Sequence, residues 1–136
     1  MQKYVKSCTE NLTELAEIER AGFLANVAYL NERPWLWRLM IETPLYAPGA
    51  ARTHLSKIIR SYARSLSQFM SDRPDTAERA HVLATMLTGA RSHLLQTGPK
   101  NAEGQFIVSP VIVDTYVHMV TSTIARLEGQ EQRQDK

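Results

Sequence analysis

The 136-residue sequence has a single cysteine, little net charge and no long apolar run. Cys8 has no partner for an internal disulfide, and no Cys/His spacing around it is of the kind that a zinc site needs. The formal net charge is only +2 and the basic residues are spread along the chain. Charge therefore gives no argument for binding nucleic acid or an anionic membrane, and we expect no bound metal.

Targeting signals are also missing from the sequence. Residues 1–10 lack the charged and then apolar layout of a secretory signal, and no apolar run approaches the roughly 18 residues that span a membrane. The length and the ordinary globular composition are sufficient for one continuous core. We therefore expect a single cytoplasmic domain over 1–136, without a membrane partner, that ends in a polar, disordered tail over 128–136.

Catalytic motifs are absent as well. The sequence has no Gly-x-Ser-x-Gly, no Walker loop and no dinucleotide glycine fingerprint. The pairs Glu14 with Glu17 and Glu32 with Glu42 are the nearest approach to an acid and base, and we interpret them as surface residues. The four histidines are His54, His81, His93 and His118. We interpret them as surface or structural residues. We expect neither an enzyme nor a cofactor.

What the sequence does have is apolar residues that recur at spacings of three, four and seven, which is typical of buried helical faces. The predicted helices cover about 10–31, 34–43, 50–71, 76–96 and 110–127. Pro34 and Ser109-Pro110 are typical helix starts, and we expect Pro44 to end the second helix. Gly22 leaves two alternatives open, a single first helix or two helices that break at this glycine.

The helix over 50–71 carries basic residues mostly on the side away from its apolar stripe. These bases are Arg52, Lys57, Arg60 and Arg64. We interpret them as a solvated helix face rather than as a track that binds phosphates.

The last two predicted helices carry more apolar surface than one packing partner covers. The helix over 76–96 has small or apolar residues on two sides, and Ile112 and Met119 widen the stripe of the helix over 110–127. Such excess apolar width predicts contact with a second subunit. The predicted interface consists of Leu83, Leu87, Val113, Tyr116, Val117, Val120 and Ile124.

Residues 31–44 hold both tryptophans between two prolines. Small-molecule pockets are lined mostly by aromatic and aliphatic side chains with a few polar groups, so these residues and others like them either line a pocket or fill the core. Two basic side chains on the helix over 76–96 would orient a polar ligand atom if that helix is buried on both sides. The candidate ligand-binding residues are Trp35, Trp37, Met40, Tyr62, Phe69, Met86, Arg91 and His93.

One family resemblance covers most of the chain. Residues 23–42 read FLANVAYLNERPWLWRLMIE, a helix, a short turn with proline, and a short helix that ends in an acidic residue. A long helix over 52–70 follows, then a helix over 80–95 with LTGA at 87–90, then the helix over 110–127. This order resembles the C-terminal regulatory domain of the tetracycline-repressor (TetR) family of bacterial transcription regulators, through patterns of spacing rather than a sharp motif.

The resemblance implies an all-α bundle of about five to six helices that binds a small, apolar or amphipathic effector among its middle helices. It also implies a homodimer through the last two helices. TetR-family members contact DNA through an N-terminal helix-turn-helix of roughly 50 residues. Residues 1–9 are too short for that module, so we expect no specific DNA binding by this chain alone. The alternative is a stand-alone adaptor that uses the same apolar faces to bind a partner protein.

Overall fold

The computed structural model describes residues 1–131 and the side chains through residue 129. The all-α prediction is confirmed, because the only β pairing in this range is an isolated bridge between Lys100 and Phe106. No helix within 1–131 has the length and apolar content to cross a bilayer. The six helices are α1 (Gln2–Thr9), α2 (Leu15–Asn31), α3 (Pro34–Tyr46), α4 (Pro48–Ser67), α5 (Thr76–Thr97) and α6 (Pro110–Glu131).

The predicted first helix over about 10–31 corresponds to α2, which begins only at Leu15. It is preceded by α1, which was not predicted, and residues 10–14 separate the two helices. The break does not occur at Gly22, because α2 runs through that position without interruption. A Cβ atom at Gly22 would lie 3.9 Å from the side chains of Thr9 and Val5, an ordinary van der Waals distance, so α1 packs against α2 here without requiring a glycine. The Thr9 hydroxyl donates to the Val5 carbonyl at 3.1 Å and therefore belongs to the end of α1.

The prediction that Pro44 ends the second helix is wrong. Pro44 lies in the last turn of α3, where a proline removes only one backbone hydrogen bond near the free end. The Thr43 hydroxyl also donates to the Leu39 carbonyl at 2.6 Å, and the Ala47 N–H donates to the Thr43 carbonyl at 2.8 Å. Pro48 then begins α4, so only Ala47 separates the two helices.

The start of the last helix is as predicted, and its end is not. Pro110 occupies the first turn of α6, and the Ser109 hydroxyl accepts a hydrogen bond from the Ile112 N–H at 3.3 Å. The helix continues through Glu131, past the predicted end at 127. The remainder of the predicted tail, 132–136, lies outside the described residues.

A single core joins all the larger helices. α2 packs against α6, α4 packs against α5, and the shorter helices α1 and α3 pack against α2 and α4 respectively. Phe23 and Val120 are fully buried, and the ring of Phe23 lies 5.0 Å from that of Tyr116 between ring centres. This one cluster draws on α2, α4, α5 and α6.

The loop between α5 and α6 is fixed to the end of α2 by Asn31. The Asn31 side chain donates to the Phe106 carbonyl at 3.1 Å and accepts from the Phe106 N–H at 2.8 Å. The Gln105 side chain donates to the Asn31 carbonyl at 3.2 Å. The Phe106 ring is buried, and a Cβ atom placed on Gly98 would lie 2.4 Å from it. These hydrogen bonds, which we call the Asn31 clamp, hold residues 105 and 106 against the end of α2.

Candidate ligand-binding cleft

A cleft of about 620 Å³ opens between α1, α2 and α4, with one residue of α5 at its wall. Ligand pockets commonly have volumes of roughly 300–1,000 Å³, so the cleft has room for a molecule of ordinary metabolite size. Its lining residues are Met1, Gln2, Lys3, Val5, Lys6 and Thr9, then Ile18, Glu19, Gly22 and Asn26, then Ile58, Ser61, Tyr62, Arg64, Ser65 and Gln68, and finally Arg91.

The floor of the cleft is a buried carboxylate held by a tyrosine. Glu19 is only 5% exposed because it lies one helical turn before Phe23 on the buried face of α2. The Tyr62 hydroxyl, from α4, reaches the two oxygens of Glu19 at 2.9 and 2.8 Å. The Tyr116 hydroxyl, from α6, lies 3.5 Å from that of Tyr62. Three helices thus meet at one polar cluster.

Burial changes the proton affinity of every member of this cluster. It raises the pKa of Glu19 above the ordinary value of 4.5, and the hydrogen bond from Tyr62 and the charge of Arg91 offset only part of that effect. Burial is also the main cause of the raised pKa values of Tyr62 and Tyr116. Both phenols therefore keep their protons at neutral pH and remain hydrogen-bond donors.

Arg91 places a positive charge at the wall of the cleft. Its guanidinium carbon lies 5.5 Å from the centre of the Tyr62 ring, which is within cation–π distance. Within residues 1–131 the half-buried Arg91 side chain forms no hydrogen bond and no ion pair. Its charge acts on Glu19 and Tyr116 through space alone. The N–H donors of Arg91 are consequently free to bind a ligand.

Asn26 also lines the cleft and carries a buried polar atom without a partner among the described residues. It lies two turns after Glu19 on α2 and is 8% exposed. Its Oδ1 atom has no hydrogen-bond partner among the described residues. A buried acceptor without a partner costs about 1–3 kcal/mol, so a ligand that donates a hydrogen bond here would recover that free energy.

The structure brings only two of the eight predicted ligand-binding residues, Tyr62 and Arg91, to this cleft. Trp37 lines a separate cavity of about 40 Å³ beside Phe106, which is too small for a metabolite. Met40 and Phe69 are half-buried against the core and do not line the cleft.

The other three predicted ligand-binding residues lie on the surface and do not line the cleft. Trp35 is 65% exposed and Met86 is 67% exposed, and His93 is also exposed. The reason is that α3 has no fully buried residue and α5 buries only one face, so the second apolar face predicted for the helix over 76–96 is open to solvent. Both tryptophans are outside the cleft.

The predicted subunit interface also needs correction. All of its residues are buried inside one chain, namely Leu83, Leu87, Val113, Tyr116, Val117, Val120 and Ile124. The apolar width of α5 and α6 is used for packing within the chain's own core, so these side chains have no surface left for a second subunit. The exposed apolar residues of these two helices are different ones, Val82, Met86, Val111 and Met119.

Glu19 and Asn26 are the site residues that the sequence-based prediction missed. Both interrupt the apolar stripe of α2, which is otherwise formed by Leu15, Phe23 and Leu30. A polar residue at a core position of an amphipathic helix is therefore the signal that was available. The bases predicted to be solvated, in contrast, are all exposed on α4, although Arg64 also contributes to the cleft.

No family model, curated protein or solved structure matches the chain. The resemblance to TetR-family regulatory domains accordingly remains a prediction from the sequence. Among residues 1–131, no three His, Cys, Asp or Glu side chains are grouped as a metal site would require.

Proposed function

We propose that the chain is a small-molecule-binding regulatory domain of the kind found in TetR-like transcription regulators. The observation that supports this most is the cleft of about 620 Å³ with Glu19, Asn26 and Arg91 in its wall and floor. Polar groups buried in a cleft without a full set of partners cost free energy unless a ligand binds them. For the buried Oδ1 atom of Asn26, which has no partner among the described residues, fold stability alone gives no reason for this placement.

The mechanism that we propose is a population shift among helix arrangements. No residue of α1 is fully buried, and α1 is held against α2 by half-buried side chains such as Val5. A ligand in the cleft contacts α1 on one side and Tyr62 and Arg91 on the other, so its binding favours one position of α1. In a TetR-like regulator, an element that responds to the ligand in this way would transmit binding to the DNA-binding module.

Homodimerisation is part of the proposal, but on different residues from those predicted. Val82 and Met86 are one turn apart on α5 and both are exposed. Met119 gives α6 an exposed apolar residue as well. We propose that a second copy covers these side chains, which leaves the buried residues of α5 and α6 in the core of each chain.

Native mass spectrometry of the gently purified chain tests the binding function. We expect a non-covalent adduct of a small molecule on the unmodified chain. Ser61→Trp places a large side chain in the cleft wall and should remove the adduct. The matched variant Ser56→Trp, at an exposed position of α4 that does not line the cleft, should retain it. An adduct that is indifferent to Ser61→Trp would place the ligand elsewhere and contradict the proposal.

A second candidate function, that of a helical adaptor, is favoured by the surface of α3. Its exposed apolar residues are Trp35, Leu39, Ile41, Leu45 and Tyr46. Aromatic residues in such patches are typical anchors in protein interfaces. The same mass spectra separate the two functions, because an adaptor predicts a ligand-free monomer, whereas a regulatory domain predicts a copurified small molecule.

A further inference from the structure

The charges around the cleft indicate which class of ligand it takes, and this inference rests on the proposed function. Four bases line the cleft, Lys3, Lys6, Arg64 and Arg91, against a single acid, Glu19. We propose that the cleft binds an amphipathic carboxylic acid that also carries an N–H or O–H donor. This assignment specifies both the charge of the ligand head group and a second polar group.

The carboxylate is expected to bind Arg91. The guanidinium group is half-buried, stacks over the Tyr62 ring and has no ion-pair partner within residues 1–131. A planar guanidinium donates two parallel hydrogen bonds to a carboxylate, and such charge-assisted pairs are stronger than neutral ones. The exposed amines of Lys3 and Lys6 lie on the α1 side of the cleft and attract an anion toward it.

The buried acid does not cancel this preference for an anion. The Tyr62 hydroxyl already donates its single proton to the Glu19 carboxyl group, within hydrogen-bond distance of both oxygens. Burial also raises the pKa of Glu19, which favours its neutral form and weakens its repulsion of a nearby carboxylate. A cationic ligand, in contrast, would face four like charges and little compensating negative charge.

The other lining residues indicate that the ligand has a hydrogen-bond donor and an apolar part. The Oδ1 atom of Asn26, a residue that lines the cleft, is buried and lacks a partner among the described residues, so a ligand donor that reaches it would supply the missing hydrogen bond. Ile18, Ile58 and Val5 supply apolar contacts along the same cleft. A wholly apolar molecule would bury the Asn26 oxygen and the Arg91 guanidinium without hydrogen bonds, which is unfavourable.

The head-group charge is tested with three probes of equal chain length, octanoate, octan-1-ol and octylammonium. Each probe is titrated into the full chain and binding is followed by ¹H–¹⁵N NMR. We expect octanoate to bind at least about tenfold more tightly than octanol, as one charge-assisted contact implies, and octylammonium to bind most weakly. Arg91→Met should reduce octanoate affinity about tenfold and leave octanol affinity unchanged. Arg60→Met, an exposed base on α4 outside the cleft, is the control and should change neither.

The hydrogen-bond donor is tested with N-hexanoylglycine and its ester analogue, in which an oxygen replaces the N–H group. The amide should bind about tenfold more tightly than the ester, because only the amide donates to Asn26. Asn26→Leu should abolish that difference, and continued octanoate binding by this variant shows that it is folded. Equal affinity of amide and ester for the unmodified chain would overturn the donor assignment.

The outcomes separate this inference from the function on which it rests. If octanol or octylammonium binds in the cleft as tightly as octanoate, the carboxylate class is wrong while the cleft remains a ligand site. If no probe shifts the amide signals of cleft residues such as Gly22 and Ser61, the proposed binding function itself is contradicted.

Discussion

The Tyr62 hydroxyl lies within hydrogen-bond distance of both carboxylate oxygens of Glu19, at 2.9 and 2.8 Å. This contact connects α2 and α4 across the floor of the cleft, with Arg91 over the Tyr62 ring on the other side. The two residues therefore have a structural role, since they join two helices, and they also set the polarity of the cleft. Changes to this pair should affect stability and ligand binding together.

The stability of the chain should depend on pH through Glu19. Because burial raises its pKa when folded, the folded chain keeps a proton that the unfolded chain releases near the ordinary value of 4.5. The folded state then binds more protons, so the free energy of unfolding falls as pH rises from that value through the raised pKa. Each unit of difference in pKa corresponds to about 1.4 kcal/mol.

Glu19→Gln should flatten this pH dependence, because glutamine does not titrate. At neutral pH the variant should be at least as stable as the unmodified chain, because glutamine accepts a hydrogen bond from Tyr62 without a buried charge. Urea denaturation at a series of pH values from about 4 to about 8 measures the effect. Glu17→Gln, at an exposed position of α2, is the control and should leave the dependence intact. If the free energy of unfolding of Glu19→Gln falls with pH as steeply as that of the unmodified chain, Glu19 is not the cause of the pH dependence.

Lysine substitutions distinguish core residues from surface residues on the last two helices. Val120 is fully buried, so Val120→Lys should destabilise the chain by more than about 3 kcal/mol and prevent folding. Met86→Lys, on the exposed face of α5, should leave the circular dichroism spectrum and melting temperature nearly unchanged. In our proposal Met86→Lys also lowers the dimer mass measured by light scattering. A folded, monomeric Val120→Lys chain would support the interface first predicted from the sequence.

Substitution by alanine should change the stability of the chain in opposite directions at two glycines, Gly98 and Gly89. A Cβ atom on Gly98 would lie 2.4 Å from the Phe106 ring and 2.7 Å from the Leu94 carbonyl oxygen, so Gly98→Ala should cost about 1–3 kcal/mol. Gly89 lies within α5 with no atom close to such a Cβ, and Gly89→Ala should stabilise the chain by about 0.5–1 kcal/mol. Thermal unfolding of both variants measures these changes in stability. A stabilised Gly98→Ala chain would show that the Phe106 ring does not pack against Gly98.

The Asn31 clamp gives a further prediction. Asn31→Ala removes both side-chain hydrogen bonds to the backbone of Phe106. We expect a loss of about 1–3 kcal/mol, together with faster hydrogen exchange at the Phe106 amide, because that N–H loses its acceptor. Asn101→Ala, which affects hydrogen bonds within the loop only, should leave the end of α2 unchanged. Unaltered exchange at Phe106 in Asn31→Ala would argue against the clamp.

Local signals in the sequence predicted those parts of the fold that depend on local physics. The start of α6 was predicted because Ser109 and Pro110 act within one turn, and the stripe containing Val117 and Val120 correctly identified buried residues. The sequence did not show what covers that stripe, because the covering residues lie on helices far away in the chain. The stripe first assigned to a subunit interface is covered by other helices of the same chain.

The site was less predictable than the fold for a related reason. Glu19, Tyr62 and Tyr116 belong to three helices, and only the packing of these helices brings the hydroxyl and carboxylate groups together. Tyr62 and Arg91 were identified as candidates from residue type, whereas the two tryptophans were identified by the same reasoning and lie elsewhere. Residue type indicates what can line a pocket, and tertiary packing determines what does.

The central claim, that the cleft beside Glu19 and Arg91 binds a small amphipathic molecule, is tested most directly by intermolecular NOEs from bound octanoate. We expect NOEs from the octanoate chain to the methyl groups of Ile18 and Ile58, which lie in the cleft on α2 and α4. NOEs to the methyl groups of Met40 or Met86 instead, with none to Ile18 or Ile58, would contradict it.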